Sequence, residues 1–270
     1  MEPSGSTSLD VPEPGPRLVG AERVLAVLKE LAEHPDGVSL DELSRSVLSP
    51  KPTVHRALVS LRKTGFASQD SRGHYLLGDE FLALAFAHHE ARPDHRRVVR
   101  RLEALAVRFG ETTHYAVLDD HSVVYRSKVD PPTGAIKLAS TVGGRQPAHS
   151  TAVGKMLLSY ALPDQAAVQA WVGELALPRF TDRTLTTAAQ LHAELTRIRA
   201  QGYSIDNQEN EPGVNCLALP VFLTSPSRPS GAISISGLVY RTPVQSLLDD
   251  LETVRAIIST PDPTTEGDSA

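Results

Sequence analysis

The apolar positions of the chain change their spacing twice, and the changes mark out its parts. From about Gly20 to Thr64 they recur three and four apart: Val24, Leu28 and Leu31, then Leu40, Leu43 and Val47, then Val54, Ala57, Leu58 and Leu61. Helix faces turned to a core have that spacing, so three short helices are predicted. The first stops near Asp36-Gly37. Ser39 is placed to cap the second, with Glu42 three residues on as its capping-box partner. Ser49-Pro50 opens the third, which ends at Thr64-Gly65. Phe66-Ala67-Ser68 and His74-Tyr75-Leu76-Leu77 then read as strands around Asp70-Ser71-Arg72-Gly73, a stretch suited to a hairpin turn. A helix from about Asp79 to Ala91 ends before Arg92-Pro93, because proline disfavours helix in the residue ahead of it.

Beyond that proline the pattern mixes the two periods. A helix is predicted from about Asp94 to Phe109, with strands at His114–Leu118, Ser122–Lys128 and Ile136–Ser140. Helices start near Thr151 and Pro163, and a long one covers Thr187 to Gln201. Strands Tyr203–Asn207, Cys216–Phe222 and Ala232–Leu238 precede a last helix from Pro243 to about Ser259. Hairpin-like strands framed by helices predict an α+β fold with an antiparallel sheet. The expected division is a tail over 1–18, a winged helix-turn-helix over 19–78, a linker helix over 79–93, a sensor domain over 94–260 and a second tail over 261–270.

Composition narrows the class. At 40% hydrophobic and 22% charged residues, the 270-residue chain is ordinary globular material. Its net charge of −5 excludes indiscriminate coating of nucleic acid, so any DNA binding must come from a local basic surface. The one cysteine, Cys216, has no internal disulfide partner and no zinc-like Cys/His spacing around it. No cofactor or metal is expected, and a reducing, cytoplasmic setting is. Neither a signal-like start nor a membrane-length apolar run is read.

One stretch departs from the acidic average. Leu43 to Gln69 contains no Asp or Glu, and within it Lys51, Thr53, His55, Arg56 and Ser60 lie off the apolar stripe of the third helix. A major-groove reader needs such a face: polar side chains near the helix start reach base edges, and Lys, Thr and the helix end grip phosphates. Arg56 matches the two acceptors of a guanine edge. Arg72, at the hairpin tip, is placed as a wing contact. Any one of these residues alone reads equally as part of a solvated face.

The segment Lys51-Pro52-Thr53-Val54-His55-Arg56-Ala57-Leu58, with Leu61, Gly65, Phe66 and Tyr75-Leu76-Leu77-Gly78, resembles the DNA-binding half of the IclR family. His149-Ser150-Thr151-Ala152-Val153-Gly154-Lys155, the run from Gly202 to Cys216, and Ala232 to Gly237 resemble its second half, in the same order. The resemblance implies a winged helix-turn-helix, a linker helix and a GAF-like effector domain. It further implies a dimer or tetramer on a palindromic operator of double-stranded DNA. Pro52 stands where many relatives carry a phosphate-binding residue, and Ala152 where some have glycine.

The residues of the second half carry a partial argument of their own. Ser150 or Thr151 would cap a helix beginning at Ala152, leaving the amides of Ala152, Val153 and Gly154 free to hold a carboxylate. Ser234 and Ser236 share one strand face, which lines either solvent or a polar pocket. Carried over by motif position, the family's effector contacts fall on Ala152, Val153, Asp206, Cys216, Ser234 and Ser236, with Leu138 and Gln146 as wall positions. Asp206 has a plainer reading as the cap of the turn after it, Lys155 as a solvated helix residue, and His149 as structural. A rival function assembles Cys216, His149 and Asp206 as a thiol hydrolase, or uses Cys216 as a redox sensor. No nucleophile signature surrounds Cys216, and the enzyme reading leaves the helix-turn-helix unexplained.

Overall fold

A computed structural model describes residues 20–90, 93–131, 138–174 and 176–260. The chain divides into two compact units between Ala91 and Arg92. Both predicted tails lie outside the described residues.

In the first unit, α1 (Gly20–Ala32), α2 (Leu40–Ser46) and α3 (Lys51–Lys63) pack around one core. Ser39 caps α2 as expected: its hydroxyl accepts from the Glu42 amide, and the Glu42 carboxylate accepts from the Ser39 amide at 3.0 Å. α3 has Pro50 as its N-cap and no side-chain cap. What holds α3 is burial: Val54, Ala57, Leu58 and Leu61 all sit in the core. Each such leucine is worth about 1.5–3 kcal/mol relative to an exposed one. β1 (Ala67–Gln69) and β2 (Tyr75–Leu77) pair antiparallel, with Ala67 opposite Leu77. Their turn is pinned by Asp70, whose Oδ1 accepts from the amides of Arg72 and His74 at 2.9 and 2.8 Å. α4 (Asp79–Glu90) follows.

The second unit opens with α5 (Pro93–Phe109), where proline occupies a first-turn position that needs no amide donor. A six-stranded antiparallel sheet runs in the order β5-β4-β3-β8-β7-β6. The strands are β3 (Thr112–Asp119), β4 (Ser122–Val129), β5 (Arg145–Pro147), β6 (Ser204–Asn207), β7 (Val214–Val221) and β8 (Gly231–Leu238). Period-two alternation gives the sheet two apolar faces, and each has its own core. Tyr115, Leu217, Leu219, Ile233 and Ile235 pack with α5, α9 (Val244–Asp249) and α10 (Leu251–Ser259). Ala116, Val123, Ala218 and Ala232 pack on the other side with α6 (Ala152–Ala161), α7 (Gln165–Val172) and α8 (Ala188–Gln201).

Three expectations need correction. Residues 138–140 form no strand, 132–137 lie outside the described residues, and the edge strand is Arg145–Pro147 instead. Leu138, Ala139 and Ser140 line a cavity instead of joining the sheet. The last helix is broken at Asp250 into α9 and α10. Lys155 is not solvated but fully buried, for a reason given below. Among the described residues no helix is long and apolar enough to cross a membrane.

Candidate functional site

The first unit offers an exposed face. Lys51, His55, Arg56 and Ser60 are exposed along α3, Thr53 is half-buried, and Arg72 is exposed at the hairpin tip. The acids bordering the acid-free stretch fold back on two of them. Asp41 takes Lys51 at 2.7 Å, and Asp70 takes the Arg72 Nε at 2.9 Å. The Ser60 hydroxyl donates to the Arg56 carbonyl at 3.2 Å. Among the described residues, His55 and Arg56 have no side-chain hydrogen bond or ion pair, so Arg56 presents its guanidinium uncommitted. Surface pairs such as Lys51–Asp41 are worth only about 0–1 kcal/mol and open readily to a phosphate.

In the second unit the site is a recess walled largely by buried groups. Leu138, Gln146, Ala152, Val153, Asp206, Cys216, Ser234 and Ser236, all eight of the expected wall residues, line one cavity of about 160 Å³. Strand register and alternation account for four of them: Asp206 stands opposite Cys216 and Cys216 opposite Ser236 in a row, and Ser234 lies two residues along β8 on the same sheet face. The start of α6 forms another wall. Thr151 is its cap, with Oγ1 accepting from the Gly154 amide at 3.2 Å. The Gly154 amide is therefore satisfied, contrary to expectation, and among the described residues the unpartnered amides of the first turn are those of Ala152 and Val153. Gly154 is required by packing, since a Cβ there would stand 2.2 Å from the Ala148 carbonyl oxygen.

Sequence reasoning missed His114, Tyr125, Ser140, Asn210 and Glu211, which also line the cavity. His114 is buried on β3; its Nε2 meets the Ser140 hydroxyl at 2.7 Å, and its ring stacks on Tyr125 at 4.6 Å. Burial, with Lys128 adding repulsion, pushes its pKa down to about 3, so the ring is neutral. The period-two pattern of β3 already put His114 on the face of Ala116, and that was the available signal. Asp206 does what its plainer reading held: its Oδ1 accepts from the amides of Glu209 and Asn210 at 2.7 and 3.3 Å. Burial raises its pKa to about 7, against those hydrogen bonds. It therefore both caps the turn and faces the cavity.

The geometry does not assemble a thiol triad. Burial, with Asp206 adding to it, pushes the Cys216 thiol well up, which suppresses the thiolate. His149 is buried with its Nε2 at 2.9 Å from the Pro178 carbonyl, and it is not among the cavity's lining residues.

Two family models match the chain, the IclR helix-turn-helix domain over residues 20–71 and the bacterial transcriptional regulator IclR C-terminal domain over residues 95–260. The chain belongs to the IclR family. It is 32% identical over 228 residues to the HTH-type transcriptional regulator BhcR of Paracoccus denitrificans, covering 82% of this chain and 77% of that one. It is 31% identical over 231 residues to the transcriptional repressor IclR of Escherichia coli, covering 84% and 81%. A crystal structure of an IclR homolog from Microbacterium hydrocarbonoxydans, complexed with 4-hydroxybenzoate, matches with a TM-score of 0.71 at 21% identity, over 87% of this chain and 97% of that chain. At that identity the likeness is one of fold. These IclR-family relatives are transcription regulators, some of them repressors, and not enzymes. The present IclR-family chain is accordingly a DNA-binding transcription regulator with an effector-binding domain.

Proposed function

We propose that this IclR-family protein is a cytoplasmic, ligand-responsive repressor of a catabolic or metabolic operon, released by a small organic or aromatic carboxylate. In this reading the winged helix-turn-helix of 19–78 enters a palindromic operator, with α3 in the major groove and Lys51, Thr53, His55, Arg56, Ser60 and Arg72 as its contacts. The linker of 79–93, helical over Asp79–Glu90, connects it to the sensor of 94–260. Two copies bind together, as a dimer or a pair of dimers. The exposure of Phe81, Leu82, Leu84 and Phe86 on α4, from 40% to 61%, supports apolar surface, distributed around the helix, that a second copy covers.

The observation that carries the effector reading is the convergence on one cavity of the α6 amide end and the side chains of Asp206, Cys216, Ser234 and Ser236. Amides at a helix start favour an anion. The volume of about 160 Å³ is close to that of a cavity which accepts one benzene ring, roughly 150 Å³. The 4-hydroxybenzoate held by the structural relative has that bulk plus a carboxylate. Ligand occupancy would then bias the linker helices toward one of two spacings of the DNA-reading helices.

The test selects operator fragments from genomic DNA and screens small aliphatic and aromatic carboxylates, 4-hydroxybenzoate among them, for release of the complex. The Ser234→Ala/Ser236→Ala double variant is expected to bind the operator as the parent does and to lose its response. A normal response in that variant would misplace the pocket.

A further inference from the structure

Lys155 is among the largest side chains that are wholly buried, and it carries a charge. It lies one turn into α6, behind the amides of Ala152 and Val153. Its Nζ meets both carboxylate oxygens of Glu209 at 2.5 Å and stands 3.6 Å from Glu194 Oε1. Glu194 is itself held by Arg197 at 2.7 Å. A buried pair is costly to desolvate and rarely improves on apolar packing, so its presence calls for a role beyond stability.

Glu209 occupies the turn that follows β6, within 207–213, and every other polar group of Glu209 is also engaged. Its amide donates to Asp206, and its carbonyl accepts from the Thr184 hydroxyl at 2.6 Å. The next residue, Asn210, accepts from the Ser150 hydroxyl at 2.9 Å and donates to Gln146 Oε1 at 3.4 Å. Asp206, Asn210, Glu211 and Gln146 line the cavity, while Lys155 and Glu209 do not. The ion pair thus stands outside the cavity and joins the elements that form two of its walls.

We propose that Lys155 and Glu209 are positioning residues of the effector cavity, fixing the turn 207–213 against the first turn of α6. The separation between the Ala152 and Val153 amides and the Asp206 and Asn210 groups is set by that tie. Charge is used because a carboxylate gripped through both oxygens has one orientation, whereas an apolar contact can slide. The proposal rests on reading this cavity as the effector site.

The test uses the full chain with Lys155→Met/Glu209→Met, which removes both charges and keeps the volume filled, and it follows hydrogen exchange and 4-hydroxybenzoate affinity. The expected result is a folded variant that keeps operator binding. Its Glu209 and Asn210 amides should exchange at least about tenfold faster, and its probe affinity should fall by at least about tenfold, with sheet amides at Leu217 and Ile235 unchanged. Exchange at parental rates overturns the proposal. So does faster exchange with unaltered probe affinity, because the pair would then hold the turn without shaping the site. Should the double variant not fold, Glu209→Gln keeps an acceptor for Lys155 and is expected to show the same two changes at smaller size; its absence from both readouts is equally fatal. A parent chain that ignores every carboxylate in the screen removes the cavity reading instead, and exchange alone then decides whether the pair holds the turn.

Discussion

The two units place their working groups in opposite environments. On α3, His55 and Arg56 are exposed and, among the described residues, uncommitted, and the helix beneath them is held chiefly by the burial of Val54, Ala57, Leu58 and Leu61. In the sensor unit the working groups are buried, drawn from α6, β6, β7 and β8, and backed by a charged pair that solvent does not reach on the lysine side. A surface that must fit a long polyanion gains from side chains that can turn. A site for one small molecule gains from groups already fixed, because ordering them on binding would cost affinity.

That contrast can be broken at either end. On the exposed side, Arg56→Ala is expected to weaken operator binding by about 1–3 kcal/mol while leaving the fold and any carboxylate response intact. Titration of a selected operator at fixed salt reads this directly, and an unchanged affinity removes the base-reading role of Arg56. On the buried side the expected effect is smaller. A ligand carboxylate at the Ala152 and Val153 amides is opposed by an ionised Asp206 and accommodated by a protonated one. With the Asp206 pKa raised to about 7, carboxylate affinity should fall as pH rises from 6 to 8, by at most about tenfold in all. Among the cavity's lining groups, His114 is neutral down to about 3, and burial pushes Cys216 and Tyr125 upward, away from this range; Glu209, whose carboxyl burial also raises, stands outside the cavity against Lys155. Calorimetry across that range is the check, and a flat profile contradicts the placement of the anion beside Asp206.

The same contrast explains what could be read from the sequence. The helix-turn-helix is local: Ser39 and Glu42 sit three apart, the stripe of α3 repeats within one helix, and the turn at Asp70 spans four residues, so each feature was legible unaided. The cavity depends on register between strands as distant as Asp206 and Ser236, and no spacing along the chain encodes that. Its wall residues were legible through family motifs. Where the motifs were silent, as at His114, or where a residue inside a motif was given no role, as at Asn210, the wall went unread. Lys155 shows the limit most clearly. A lysine in a helix reads as solvated until the fold brings Glu209, fifty-four residues away, onto its amino group.

The central claim is that an acidic chain binds a particular duplex through a local basic face, and the salt dependence of that binding tests it most directly. Against an operator fragment selected from the genome, log affinity should fall linearly with log salt, with a slope of about −0.9 for each phosphate neutralised. At every salt concentration the fragment should be preferred over bulk competitor DNA. Folded protein that shows neither the slope nor the preference would contradict the account.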